Sequence, residues 1–128
     1  MLCCEPMADQ DGAHDSQLLK GVLSLALLRL LAARESYGYE LVGRLHELGL
    51  RQIQEGSVYP ALSRLEREGS VISRLVSSNS GPARKYYRLS AVGYASLAES
   101  EAAWKTLVKA LEPILSKPVP ARPQEARA

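Results

Sequence analysis

The sequence predicts a mainly α-helical domain with one small β-hairpin and a long C-terminal helix. Apolar residues recur at helical spacing in four segments of the chain. Between the third and the fourth segment the apolar period changes to two, as it does in strands. The last segment places its apolar residues at spacings of seven, four and three, which is typical of a helix that packs along another helix.

Length and composition limit the chain to one domain. It has 128 residues, of which 46% are hydrophobic and 23% are charged, and this length buries one core but not two. The longest apolar stretch, residues 21–28, is far shorter than the roughly 20 residues that cross a bilayer. The first ten residues lack the cationic start and the apolar stretch of a signal peptide. We therefore expect a cytoplasmic protein with no membrane partner.

Cysteine and histidine chemistry gives no basis for a function. Cys3 and Cys4 are adjacent and have no other thiol to pair with, so a disulfide framework is excluded. His14 and His46 do not complete a zinc site with them, because the ligand spacing is wrong. The sequence also has no glycine-rich phosphate loop and no nucleophile with a plausible base. We expect no metal, no cofactor and no enzyme activity.

The first half of the chain predicts three helices. Residues 18–33 are leucine-rich and apolar most of the way round, so this helix needs cover on several sides. Residues 37–49 predict a second, amphipathic helix. The third helix covers residues 57–68, with Ser57 as its N-cap and Pro60 in its first turn, where a missing N–H costs nothing.

The second half predicts a hairpin followed by the last helix. Two alternating segments flank the turn-rich "SNSGPA", and in the second of them we expect Tyr87 in the core and Tyr86 nearer the surface. Ser90 is expected to cap the last helix. Three helices, a two-stranded wing and a further helix make a winged helix-turn-helix with an added C-terminal helix.

The last helix, residues 91–115, predicts a homodimer. A domain of this size has nothing except a second copy to cover the apolar seam of this helix. The expected dimerisation residues are Leu97, Trp104, Val108 and Leu111. The winged helix-turn-helix then covers residues 17–90, and we expect disorder in the acidic residues 1–16 and in the proline-rich residues 116–128.

Charge is distributed unevenly along the chain. Residues 1–17 hold four acidic side chains and no lysine or arginine, whereas residues 55–90 hold six lysine or arginine residues against three glutamates. This asymmetry points to a polyanionic partner. An ordinary solvated face gives the same pattern, so charge alone leaves both interpretations open.

Two segments carry the candidate DNA contacts. Hydroxyl and guanidinium groups donate to phosphates, and arginine also pairs with guanine edges. The outward residues predicted on the third helix are Ser57, Tyr59, Ser63, Arg64 and Arg67, and those predicted on the wing are Arg84, Lys85 and Tyr86. Each segment has a structural alternative, namely a plain amphipathic helix and a charged edge strand. Together they favour double-stranded DNA over a winged-helix module that binds only protein.

The segments "GYELVGRL", "EGSVYPALSRLEREG" and "GPARKYYRLSAVG" resemble the PadR-like transcriptional regulators, in that order, over about residues 18–115. The resemblance implies a homodimeric winged-helix repressor that binds a palindromic operator. It implies that Ser57 and Tyr59 contact the DNA backbone, that Arg84 and Lys85 belong to the wing, and that the last helix packs on the partner's first helix.

The resemblance also extends to Trp104. Multidrug-binding relatives carry a tryptophan at the matching position, where planar aromatic drugs stack between the two copies. It therefore implies a small aromatic effector bound at Trp104. The alternative is that Trp104 only packs the dimer interface.

Overall fold

The structure, a computed structural model, describes residues 4–122, with side-chain environments from residue 18 onward. The predicted order of three helices, a hairpin and a final helix is confirmed, and one short strand is added before the second helix. The elements are α1 (Cys4–Ala33), β1 (Ser36–Tyr37), α2 (Gly38–Glu47), α3 (Glu55–Arg67), β2 (Val71–Ser78), β3 (Gly81–Leu89) and α4 (Ala91–Leu115).

The first helix is longer than the sequence predicts. It begins at Cys4, so the backbone of residues 4–16 is helical where disorder was expected. Pro6 falls in its first turn, where the helix has no hydrogen bond to lose. Extending a helix that is already nucleated by a packed segment costs much less than starting one, and this favours growth toward the N-terminus.

Residues 1–3 and 123–128 lie outside the described residues, while residues 116–122 contain neither helix nor strand.

The core lies where α1, α2, α3 and the sheet meet. Because the sequence contains no phenylalanine, leucine supplies most of its volume. The apolar side chains that are fully buried are Leu27 and Leu28 on α1, Leu41 and Leu45 on α2, and Val58 and Leu62 on α3. Burial of each such side chain stabilises the fold by about 1.5–3 kcal/mol. Tyr87 on β3 is buried as predicted, and Tyr86 is half-buried.

The three strands form an antiparallel sheet in the order β1-β3-β2. The wing pairs Val71 with Leu89 at its base and is irregular between Val76 and Ser78 near its tip. The short strand β1 joins the sheet by pairing Ser36 with Tyr87.

Arg44 on α2 holds the C-terminal end of α1 and the start of β1 together. Arg44 on α2 donates from Nη1 to the Ser36 hydroxyl at 2.7 Å and from Nη2 to the Leu30 carbonyl at 3.0 Å. It therefore gives the fully buried Ser36 hydroxyl a hydrogen-bond partner and adds a second donor to the Leu30 carbonyl, which also accepts from the Arg34 N–H at 3.3 Å. Partial burial lowers the pKa of Arg44, but the guanidinium stays charged at neutral pH.

The last helix starts inside the domain and then leaves it. The Ser90 hydroxyl accepts from the Gly93 N–H at 3.0 Å, which confirms the predicted N-cap. Gly93 lets α4 pass close to the backbone of Ser70, because a Cβ at this position would lie only 2.0 Å from the Ser70 carbonyl oxygen. Leu97 is the last buried residue of α4, and the remaining five turns are largely exposed.

Candidate nucleic-acid interface

Helix α3 begins two residues earlier than the predicted cap. Its N-cap is Gln54, whose carbonyl accepts from the N–H groups of Ser57 at 2.9 Å and Val58 at 3.1 Å. The prediction of Ser57 as N-cap is therefore wrong, because Ser57 is already the third helical residue. Pro60 is the sixth, so the Gly56 carbonyl loses the N–H that would pair with it. Both residues are exposed, and solvent can satisfy that carbonyl.

One strip of α3 lies opposite its buried stripe. The buried side chains are Val58, Ala61, Leu62 and Leu65. The strip on the other side recurs at spacings of four, three and four and consists of Gly56, Pro60, Ser63 and Arg67, all exposed. Neither Ser63 nor Arg67 makes a side-chain hydrogen bond or an ion pair within the part of the chain that the structure describes.

The edge of α3 that faces α1 holds Ser57 and Arg64. Arg64 donates from Nη2 to the Ser24 hydroxyl on α1 at 2.9 Å. Ser57 lines a shallow cleft together with Lys20 and Gln52. Arg64 therefore does not project freely outward as the sequence predicts, because the rotation of the helix brings it within reach of α1.

The opposite edge of α3 holds Tyr59, whose ring lies on the first residue of α2. A Cβ at Gly38 would lie 2.3 Å from a ring carbon of Tyr59, so only glycine leaves room for this contact. Tyr59 is 41% exposed. Partial burial is the main cause that raises the pKa of its phenol, and the Glu55 carboxylate raises it further. The Tyr59 hydroxyl is therefore a proton donor throughout the physiological pH range.

The wing cations are held in place by aromatic and acidic side chains. The Arg84 guanidinium lies 4.6 Å from the centre of the Tyr37 ring, which also makes an edge-to-face contact with Tyr86. Lys85 lies 5.6 Å from the centre of the Tyr87 ring. Its Nζ is 3.3 Å from a carboxylate oxygen of Glu66 on α3.

Glu66 connects the wing to α3. One of its carboxylate oxygens accepts from the Ser73 hydroxyl on β2 at 2.6 Å, and the other faces Lys85. The Ser73 hydrogen bond, followed by the interaction with Lys85, lowers the pKa of Glu66. The carboxylate is therefore ionised at neutral pH and orients Lys85 beside α3.

Helix α3 and the wing share an open cleft of about 440 Å³. It is lined by Tyr37, Gly38, Tyr39, Tyr59, Ala83, Arg84, Lys85 and Tyr87. The structure thus brings three predicted residues together there, Tyr59, Arg84 and Lys85. The sequence prediction missed Tyr37, Gly38 and Tyr39, although the "YGY" at the start of α2 was a signal for a tight contact.

The predicted dimerisation residues separate into two groups. Leu97 is only 5% exposed and belongs to the core of its own domain, so the prediction that it packs on a second copy is wrong. The reason is that α4 still lies against the domain one turn beyond Gly93. Trp104, Val108 and Leu111 are exposed, Trp104 by 46%. They line a strongly apolar groove of about 390 Å³ that also includes Leu107 and Leu115, which the prediction omitted.

Residues 27–99 match the Transcriptional regulator PadR-like family. The chain belongs to the PadR-like family. A transcriptional regulator of Mycobacterium tuberculosis is 34% identical over 92 residues, which cover 70% of this chain and 82% of that protein. The family consists of DNA-binding transcriptional regulators, so this chain is one of them and not an enzyme.

Solved PadR-like structures share the fold. A PadR family regulator from Eggerthella lenta is 30% identical, with a TM-score of 0.76, and covers 90% of this chain and all of that one. Bacillus subtilis PadR in complex with operator DNA is 26% identical, with a TM-score of 0.57, over 80% of this chain and 51% of the longer one.

Among residues 4–122, no helix is long and apolar enough to cross a membrane. Among the side chains that the structure describes, from residue 18 to residue 122, no cluster of three histidine, cysteine or acidic groups has a geometry that would hold a metal ion.

The contact between Gly38 and Tyr59 generates a prediction about the Tyr59 pKa. In Gly38→Ala the new methyl group displaces the ring toward solvent, and with less burial the Tyr59 pKa falls toward its ordinary value. NMR titration of labelled tyrosine ring carbons measures this pKa, with Tyr59→Phe to assign the signal. The matched control is Gly43→Ala in the same helix, where a Cβ meets nothing within 4 Å. An unchanged Tyr59 pKa in Gly38→Ala would contradict the proposed packing.

Proposed function

We propose that this PadR-like regulator is a cytoplasmic repressor that binds a palindromic operator as a homodimer. The observation that carries the proposal is that Tyr59, on the edge of α3, and the wing cations Arg84 and Lys85 line one open cleft. A duplex that places α3 in its major groove would bring the wing to the adjoining backbone. The likeness to Bacillus subtilis PadR, whose structure contains operator DNA, supports this arrangement.

In this proposal, the contacts to the DNA phosphate backbone come from both edges of the interface. The Tyr59 hydroxyl stays protonated and is held by Gly38, so it donates to a phosphate without first being ordered. Arg84 and Lys85 supply positive charge on the same side, and Ser57 supplies a hydroxyl on the α1 side. Tyr86 acts indirectly in this scheme, because it supports the Tyr37 ring under Arg84.

The homodimer rests on the exposed apolar face of α4. Trp104, Val108 and Leu111 lie along one side of the helix with Leu107 and Leu115 beside them, and such a continuous apolar face marks an interaction surface. When two copies pair through this face, each protomer buries its own apolar face against that of the other. The two α3 helices would then lie about one DNA turn apart, roughly 34 Å, on the two halves of a palindrome.

The effector is the third part of the proposal. Trp104 lines the apolar groove of α4 and also a smaller groove of about 220 Å³ between α1 and α4. A planar aromatic molecule that stacks on this indole would change how α1 and α4 pack, and it would thereby release the operator.

The wing contribution predicts a change in salt dependence. The double variant Arg84→Ala/Lys85→Ala should bind every duplex about tenfold or more weakly, because two charge-assisted phosphate contacts are lost. The slope of log affinity against log salt should fall by about 1.8, or about 0.9 for each contact. Fluorescence anisotropy at several salt concentrations measures both quantities.

The matched control for the wing is Arg29→Ala/Lys117→Ala. It removes the same net charge from exposed positions on α1 and beyond α4. An equal loss of affinity in the two double variants would show that only total charge matters, and it would refute a specific role for the wing. Salt-independent binding of the wild-type protein to a partner protein, with no DNA binding, would favour the protein-interaction module instead.

The dimer proposal predicts that a charge on the α4 face yields monomers. Leu111→Asp places an unpaired carboxylate at the centre of the buried surface, and its desolvation costs several kcal/mol. Sedimentation velocity at micromolar concentration should give a dimer for the wild type and a monomer for Leu111→Asp. The control Thr106→Asp puts the same charge on the opposite side of α4 and should remain dimeric. A dimeric Leu111→Asp variant would place the interface elsewhere.

The effector proposal predicts a fluorescence response, since Trp104 is the only tryptophan in the chain. Planar aromatic cations should quench its emission and weaken operator binding in the same concentration range. In Trp104→Ala the same compounds should no longer affect operator binding. A diverse panel that leaves both emission and DNA binding unchanged would argue against a ligand site at Trp104.

A further inference from the structure

The accessible surface of α3 divides into a middle strip and two edges, and only the edges are engaged with the rest of the domain. Arg64 on one edge donates to Ser24 at 2.9 Å. On the other edge Tyr59 packs on Gly38, and Glu66 binds Ser73 and Lys85. The middle strip of Gly56, Pro60, Ser63 and Arg67 points away from all of these contacts.

The edges and the middle strip would meet different parts of a duplex. When a helix enters the major groove, its outermost line of side chains approaches the base edges, while its flanks face the two phosphate backbones. The edges of α3 lie beside α1 and beside the wing, which would form the walls that follow the backbones. The middle strip is therefore the part of α3 that would reach the bases.

Within the middle strip, Arg67 alone has two parallel donors on one planar group. That geometry matches the O6 and N7 acceptors of guanine, which is the commonest specific contact in the major groove. Arg67 has no hydrogen-bond or ion-pair partner among the described residues, so it would lose no existing contact on binding. Arg64 has the same side chain only three positions away, but its guanidinium already binds Ser24.

The other three positions of the strip allow close approach. Gly56 has no side chain, and Pro60 offers an apolar ring that suits the methyl group of thymine. Ser63 has one short hydroxyl, which can donate to or accept from a base edge. The strip thus has small side chains at its N-terminal end and its longest side chain, that of Arg67, at its C-terminal end.

We propose that Arg67 is a specificity-determining residue that pairs with one guanine in each half of the DNA site, and that Arg64 positions α3 without reading bases. This inference rests on the proposed function, since it assigns roles within the same DNA-binding surface.

The test uses the full-length protein and a duplex selected from a random library by the wild-type protein. Affinities are then measured for a panel in which every base pair of the half-site is changed singly, in both halves together. For the wild type, replacing the guanine pair read by Arg67 should weaken binding roughly 5- to 150-fold. In Arg67→Ala that penalty should disappear at this one position and persist at the others, and in Arg67→Lys it should become smaller there, because lysine keeps the charge but lacks the planar pair of parallel donors.

The matched controls are Arg64→Ala and Arg64→Lys, which should keep the whole wild-type pattern of penalties. Both arginines are exposed, and thermal unfolding of each variant verifies that it is folded. The inference is overturned if Arg67→Ala weakens all duplexes by one factor and lowers the salt slope by about one, as a phosphate contact would. It is also overturned if the Arg64 variants lose discrimination instead. These results leave the proposed function intact, whereas a wild-type protein without any sequence preference would contradict the proposed function itself.

Discussion

The burial of Val58, Leu62 and Leu65 fixes the rotation of α3 about its own axis, and the exposed surface of the helix follows from that rotation. Each of these side chains contributes about 1.5–3 kcal/mol when buried, so turning the helix by even one residue would expose apolar surface and bury a polar side chain. Pro60 is compatible with this arrangement because its missing hydrogen bond falls on the exposed side of the helix, at Gly56. The core thus determines which side chains are available for recognition, although none of its residues would touch DNA.

Polar contacts between side chains then restrict the orientations of the residues that the core leaves exposed. Arg64 with Ser24, Glu66 with Lys85 and Arg74 with Glu35 all lie at or near the surface. Exposed contacts of this kind, here two ion pairs and one hydrogen bond, contribute little to the free energy of unfolding. Their effect is to restrict long side chains to few orientations before a partner arrives, which lowers the entropic cost of binding. Arg44 differs from them, because it joins a buried hydroxyl to the C-terminal end of α1.

Most of the fold could be predicted from residue patterns, because helix and strand periods and the Ser90 cap are local signals. The start of α3 could not be predicted, because glutamine has no preference for the N-cap position. Gln54 caps the helix with its backbone and makes no side-chain hydrogen bond there. Strand β1 was missed because two residues are too few for a period, and their pairing depends on the distant β3. Which arginine of α3 is engaged also escaped prediction, because Ser24 lies 40 positions away and becomes a partner only when α1 packs on α3.

Helix α1 connects the two surfaces on which the proposed function depends. Ser24 lines the groove beside Trp104, and its hydroxyl accepts the hydrogen bond from Arg64 on α3. A molecule in that groove changes DNA affinity only if it binds one arrangement of α1 and α3 more tightly than another. The structure supplies a physical basis for such a difference, because a shift of α1 by one or two ångströms would break a 2.9 Å hydrogen bond to the recognition surface. Because this hydrogen bond is exposed, its loss is worth about 1 kcal/mol at most, which is at the lower end of the usual coupling between two sites.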